Sequence, residues 1–114
     1  MGERFGQRVK RLRLERKLGL RHTAARAGMS ATFLSRIEND EERSPPSEEK
    51  IRALARLLDD DFDVLMTLAG RISHDVEKVI TGDASMPEFL RAARRRKVSG
   101  QQLLRMLERR KDEA

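Results

Sequence analysis

The chain has no cysteine, tryptophan or tyrosine, and only four phenylalanines in 114 residues. Without cysteine there is no disulfide framework, no thiolate metal site and no sulfur nucleophile. Four phenylalanines are too few platforms for the base stacking used by single-strand and RNA-recognition proteins. The two histidines, His22 and His74, are far apart in the sequence and lack cysteine partners, so no metal site is expected. No Ser/His/Asp set or glycine-rich phosphate loop stands out, and the expectation is a non-enzyme without a cofactor. No apolar run approaches the length of a membrane span and no signal peptide opens the chain, so a soluble, cytoplasmic protein without membrane contact is expected.

Charge is abundant and unevenly placed. Charged residues make up 39% of the chain and hydrophobic ones 38%, with a net charge of +6. Residues 1–38 carry a net +7, residues 39–83 a net −6 and residues 84–114 a net +5. Basic regions attract phosphates through counterion release, whereas an acidic region holds its own surface off a polyanion.

The most informative stretch is LRHTAARAGMSATFLSRIEN, residues 20–39. Leu20 to Ala27 reads as a compact helix, Gly28 supplies a positive φ for the turn, and Ser30 is an N-cap for a second helix. Phe33, Leu34 and Ile37 form the buried stripe of that helix. At about 100° per residue, Ala31, Thr32, Ser35 and Arg36 fall on the opposite, small and polar face. Two helices, a tight turn and an exposed reading face describe a helix-turn-helix.

Elsewhere the same periodicity predicts an all-α chain. Phe5, Val9 and Leu12 mark an opening helix over about residues 3–17, whose Gly6 costs up to about 1 kcal/mol against alanine and invites fraying. After the polar, proline-bearing loop NDEERSPPSEEK, Ser47 caps a helix with the stripe Ile51, Leu54, Ala55 and Leu58. Phe62, Leu65 and Ala69 mark a short fifth helix stopped at Gly70. The expected division is a DNA-binding domain over 1–70 and a helical unit over 71–114. In the latter, Val76, Val79 and Ile80 mark a short helix. Two capping boxes, Ser85 with Glu88 and Ser99 with Gln102, open two further helices. Phe89 and Leu90 on one, and Leu103, Leu104 and Leu107 on the other, need a partner surface, because about forty residues cannot close a core alone.

These residues carry a resemblance. RVKRLR before the motif, AARAGMS through its turn, FLSRIEN in the second helix and PPSEEKIRALARLL after it resemble the Xre, or lambda-repressor-like, family. The resemblance covers about two-thirds of the chain. It implies a five-helix DNA-binding domain for double-stranded DNA, with bases read from Ala31, Thr32, Ser35 and Arg36. Among these, Arg36 has the guanidinium fork that fits guanine O6 and N7. Phosphate donors are expected at Arg21 and His22, at Arg8, Lys10 and Arg11, and at Arg43. Arg13 and Glu38 match the family positions of an internal ion pair. The tail resembles those of repressors that dimerise through their C-terminal helices. The implied function is a homodimeric repressor on an inverted-repeat operator. The same reader also serves antitoxins, restriction-modification controllers and repressors switched by a partner protease, which admits a protease or toxin as partner; an adaptor binding proteins through its last helices is a further alternative.

Two features read as structural. Asp59, Asp61 and Asp63 echo the start of a calcium loop, but its sixth position is Val64 rather than glycine and its twelfth is Gly70 rather than glutamate. They are expected as helix-capping and linker acids. The run Arg94-Arg95-Arg96-Lys97 is expected as a solvated helix end.

Overall fold

The computed structural model describes residues 2–113, with side chains described as far as Arg110. Eight α-helices and no strand are found among the described residues. They form two compact units, Met1–Ser73 and His74–Ala114.

The first unit contains α1 (Phe5–Glu15), α2 (Leu20–Arg26), α3 (Ala31–Glu38), α4 (Glu48–Leu58) and α5 (Phe62–Leu68). Val9, Ala24, Leu34, Ile51, Leu54, Leu58 and Leu65 are almost wholly excluded from solvent and draw the five helices around one core. The α4 stripe is buried at all four expected positions, whereas of the α3 stripe only Leu34 and Ile37 are buried. Phe33 stays half-exposed, with the Lys50 ammonium 5.4 Å from its ring centre. Helix ends follow local chemistry. Ser30 and Asp61 side chains accept the N–H of Phe33 and Val64, and Asp59 closes α4 in the left-handed conformation.

Gly6 has a different role from the one its propensity suggests. It is buried in the first turn of α1, where α1 crosses the end of α3. A Cβ there would overlap the Ile37 carbonyl oxygen and lie 3.0 Å from the Ile37 carbonyl carbon and 3.2 Å from the Glu38 Cα. These are backbone atoms and cannot swing aside. Gly6→Ala is therefore expected to destabilise the unit by about 1 to 3 kcal/mol despite its better helix propensity. Urea denaturation checks this, and a stabilised variant would show that the helices have room to separate.

The first unit also runs three residues past Gly70. Arg71 Nε donates to the Pro46 carbonyl at 2.6 Å and Nη2 to that of Pro45 at 3.0 Å, pinning the proline loop, and Ser73 is buried. The buried Ser73 marks its end.

The second unit contains α6 (His74–Thr81), α7 (Met86–Arg95) and α8 (Gly100–Glu113), with α6 packed on α7. Ser99 and Gln102 form the expected capping box, with bonds of 2.8 and 3.1 Å. Ser85 and Glu88 do not. The Ser85 side chain makes no cap bond to α7, and its N–H and hydroxyl both donate to Asp83 instead. The local Asx geometry two residues upstream outcompetes the cap. Those two bonds also hold the Asp83 carboxyl below its ordinary range.

Candidate nucleic-acid interface

The turn before α3 is built as its residues dictate. Gly28 has φ +73°, Met29 N–H returns to the Ala24 carbonyl at 2.9 Å, and Ser30 caps α3. Inside α2, Thr23 is fully buried and satisfies its hydroxyl on the Gly19 carbonyl at 2.8 Å. Helix α3 is thereby held with Leu34 and Ile37 inward and Thr32 and Arg36 exposed.

Ala31, Thr32, Ser35 and Arg36 line one shallow, open depression together with Leu20 and Arg21 of α2 and with Glu41. The sequence did not single out Glu41. It reaches this rim because Asp40 takes a left-handed φ of 59° and the Glu41 N–H folds back to the Arg36 carbonyl at 2.8 Å. A carboxylate there repels phosphate and can accept from a cytosine amino group. The signal was present in the non-glycine helix stop Asn39-Asp40, residue types that tolerate this conformation.

The expected phosphate donors separate into three groups. Arg21 shares the depression with the α3 face, and His22 is exposed beside it. Lys10 and Arg43 are also exposed, but Arg43 lines a different depression with Arg4, Phe5 and Pro45. Arg8 and Arg11 are committed elsewhere. Arg8 grips Asp60 in two bonds of 2.7 and 2.8 Å, and Arg11 bonds Glu3 at 2.7 and 3.0 Å and Glu15 at 3.1 Å. The Arg8 guanidinium holds the half-buried Asp60 carboxyl below its usual range, and Arg11 does the same for Glu3. A phosphate approaching either guanidinium would compete with these carboxylates.

Arg13 and Glu38 form a buried two-bond ion pair, Nε to Oε2 at 2.7 Å and Nη2 to Oε1 at 2.9 Å. A third bond runs from Arg13 Nη1 to the Leu18 carbonyl at 2.9 Å. Glu38 holds the Arg13 guanidinium above its ordinary pKa against the opposing effect of burial. This pair ties the last residue of α3 to α1 and fixes the angle at which the reading face is presented.

In the second unit, Phe89, Leu90, Leu104 and Leu107 are exposed by 43–65% of their surfaces. Leu103, expected among them, is half-buried, while Met106, Val76 and Val79 are further exposed apolar side chains.

A capped α3 held across α1 and α2, with a small polar face, is the architecture of a DNA reader. The helix-turn-helix domain family model matches residues 4–64, more than half of the chain. The chain belongs to the helix-turn-helix domain family. It is 41% identical over 70 residues to the HTH-type transcriptional repressor RghR of Bacillus subtilis strain 168, covering 61% of this chain and 51% of that protein. It is 36% identical over 75 residues to the HTH-type transcriptional regulator RghRB of the same strain, covering 66% of this chain and 53% of the relative. The chain thus spans about half the length of these two curated relatives. Among solved structures, a chain of the SinR protein/SinI protein complex is 28% identical, with 96% of each chain covered and a TM-score of 0.48. No helix among the described residues is long and apolar enough to cross a membrane.

Proposed function

We propose that the chain is a transcriptional repressor that binds an inverted-repeat operator as a homodimer, with α3 in the major groove. The observation that supports this most is the meeting of Ala31, Thr32, Ser35 and Arg36 with Arg21 around one open depression. Neither Arg21 nor Arg36 has an ion-pair partner among the described residues. Arg36 is the guanine reader, Ala31 and Thr32 offer methyl groups to thymine, and Thr32 and Ser35 add hydroxyls. Arg21, Lys10 and Arg43 supply phosphate charge, with His22 as a further N–H donor. Repression is supported by the likeness to the transcriptional repressor RghR and by the simplest mode of action of a compact reader, occupation of a promoter. The exposed apolar residues Phe89, Leu90, Leu104 and Leu107 form the dimer face.

Two substitutions separate reading from anchoring. Arg36→Ala is expected to cost about 1 to 3 kcal/mol on the operator and to relax preference at one base pair per half-site. Arg21→Ala is expected to weaken all sequences alike and to reduce the slope of log affinity against log salt by about one. Competition binding against random duplex, repeated over a salt series, measures both. An unchanged ratio of specific to random affinity in Arg36→Ala would remove that residue from the reading set.

A further inference from the structure

Six of the fifteen lysines and arginines of the first unit are held in ion pairs among the described residues. Arg4, Arg8, Arg11, Arg13, Arg16 and Arg52 all form ion pairs within it. The second unit is different. Arg96, Lys97, Arg105 and Arg109 line a single open groove between the end of α7 and the face of α8, with Glu108 the one acid in the lining. None of the four cations has an ion-pair partner among the described residues.

A helix C-terminus accounts for some of this charge, since Arg94, Arg95 and Arg96 stand at the negative end of α7. It does not account for Arg105 and Arg109. These are spaced i, i+4 on α8, a like-charge arrangement that slightly destabilises a helix, and neither stands at the C-terminal end of α7. Lys97 is carried into the groove by a left-handed φ of 57°. Positive charge is therefore gathered here in excess of the one acid in the lining, and an external anion would complement it. Phe89, Leu90, Leu104 and Leu107 are absent from the groove lining, so pairing through those residues leaves it open.

We propose that this groove binds the phosphate backbone of double-stranded DNA, as a second electrostatic contact in addition to that of the recognition helix. The proposal rests on the reading of the chain as a DNA binder. A duplex backbone is the polyanion that such a protein meets at high local concentration, and it is held by point charges without base-specific geometry. The contact adds affinity for any sequence and leaves specificity to α3.

The test uses the full chain with Arg96→Gln, Arg105→Gln and Arg109→Gln combined, and a random-sequence duplex of about 40 base pairs. The expected result is binding roughly tenfold to a hundredfold weaker at low salt, with a slope of log affinity against log salt reduced by about 2 to 3. The corresponding triple Arg→Lys variant should retain wild-type binding, because the contact reads charge; a merely structural role for the guanidinium groups would not be rescued in this way. The ratio of specific to random affinity, measured on an operator selected by the full-length protein, should stay unchanged. That ratio tests the α3 reading separately from the groove. An unaltered salt slope in the Gln variant overturns the proposal. So does a weaker variant whose sedimentation also changes, which would place the groove in a contact between proteins.

Discussion

Replacing Glu38 with alanine is expected to destabilise the first unit by about 3 to 5 kcal/mol, a large part of the stability of a domain this size. The loss is large because Arg13 stays behind. Its side chain is only 10% exposed and that of Glu38 only 3%, so the guanidinium would keep its desolvation cost with no carboxylate to offset it. Only the bond to the Leu18 carbonyl would remain. Arg13→Met combined with Glu38→Leu should recover most of the stability, since apolar residues of similar volume remove both charges together. Urea denaturation of Glu38→Ala, of the singles Arg13→Met and Glu38→Leu, and of their double variant measures the loss and completes a thermodynamic cycle for the last three. If Glu38→Ala costs less than about 1 kcal/mol, water reaches the guanidinium and the pair does not set the pose of α3.

Ending the chain after Ser73 is expected to leave a folded monomer whose affinity for the full operator falls by about 10²- to 10⁴-fold, while affinity for one half-site changes little. The second reading head would no longer be delivered at the effective concentration that linkage provides. Ser73 rather than Gly70 is the appropriate end, because a chain stopped at Gly70 loses Arg71 and its grip on the Pro45 and Pro46 carbonyls. In the full-length dimer, half-site centres should lie about 10 to 10.5 base pairs, or a multiple, apart. Sedimentation of both chains at matched concentration decides the matter. A truncated chain that still sediments as a dimer would move the interface into the first five helices.

The helix-turn-helix was legible because everything that builds it is local. Gly28, Ser30 and the stripe of Leu34 and Ile37 act within a few residues of one another, and a helical wheel then places Thr32 and Arg36 outward. What escaped depends on distant partners. Arg8 and Asp60 are 52 residues apart, and a chain with 19 acidic residues offers many partners for any arginine. The sequence therefore offers Arg8 and Arg11 as phosphate donors without showing the carboxylates each also pairs with. Gly6 was misread for the same reason: its cost in helix propensity is local, but its purpose lies across the interface at Ile37. Ser85 and Glu88 failed as a capping box although the spacing was right, since spacing does not reveal that Asp83 competes for the same hydroxyl and N–H.

The division of labour on α3 bears on how this lineage can diverge. Stability is held by Leu34, Ile37 and Glu38, while Thr32 and Arg36 face solvent and Ala31 and Ser35 are only half-covered. Exposed substitutions of this kind usually shift stability by no more than about 0.5 kcal/mol. A duplicated copy could therefore explore new operators one residue at a time without first acquiring a compensating change in its core. The opposite holds at the crossing of α1 and α3, where Gly6 allows no such drift. Regulators descended from this chain should vary most freely on the four reading positions and stay fixed at the helix crossing behind them.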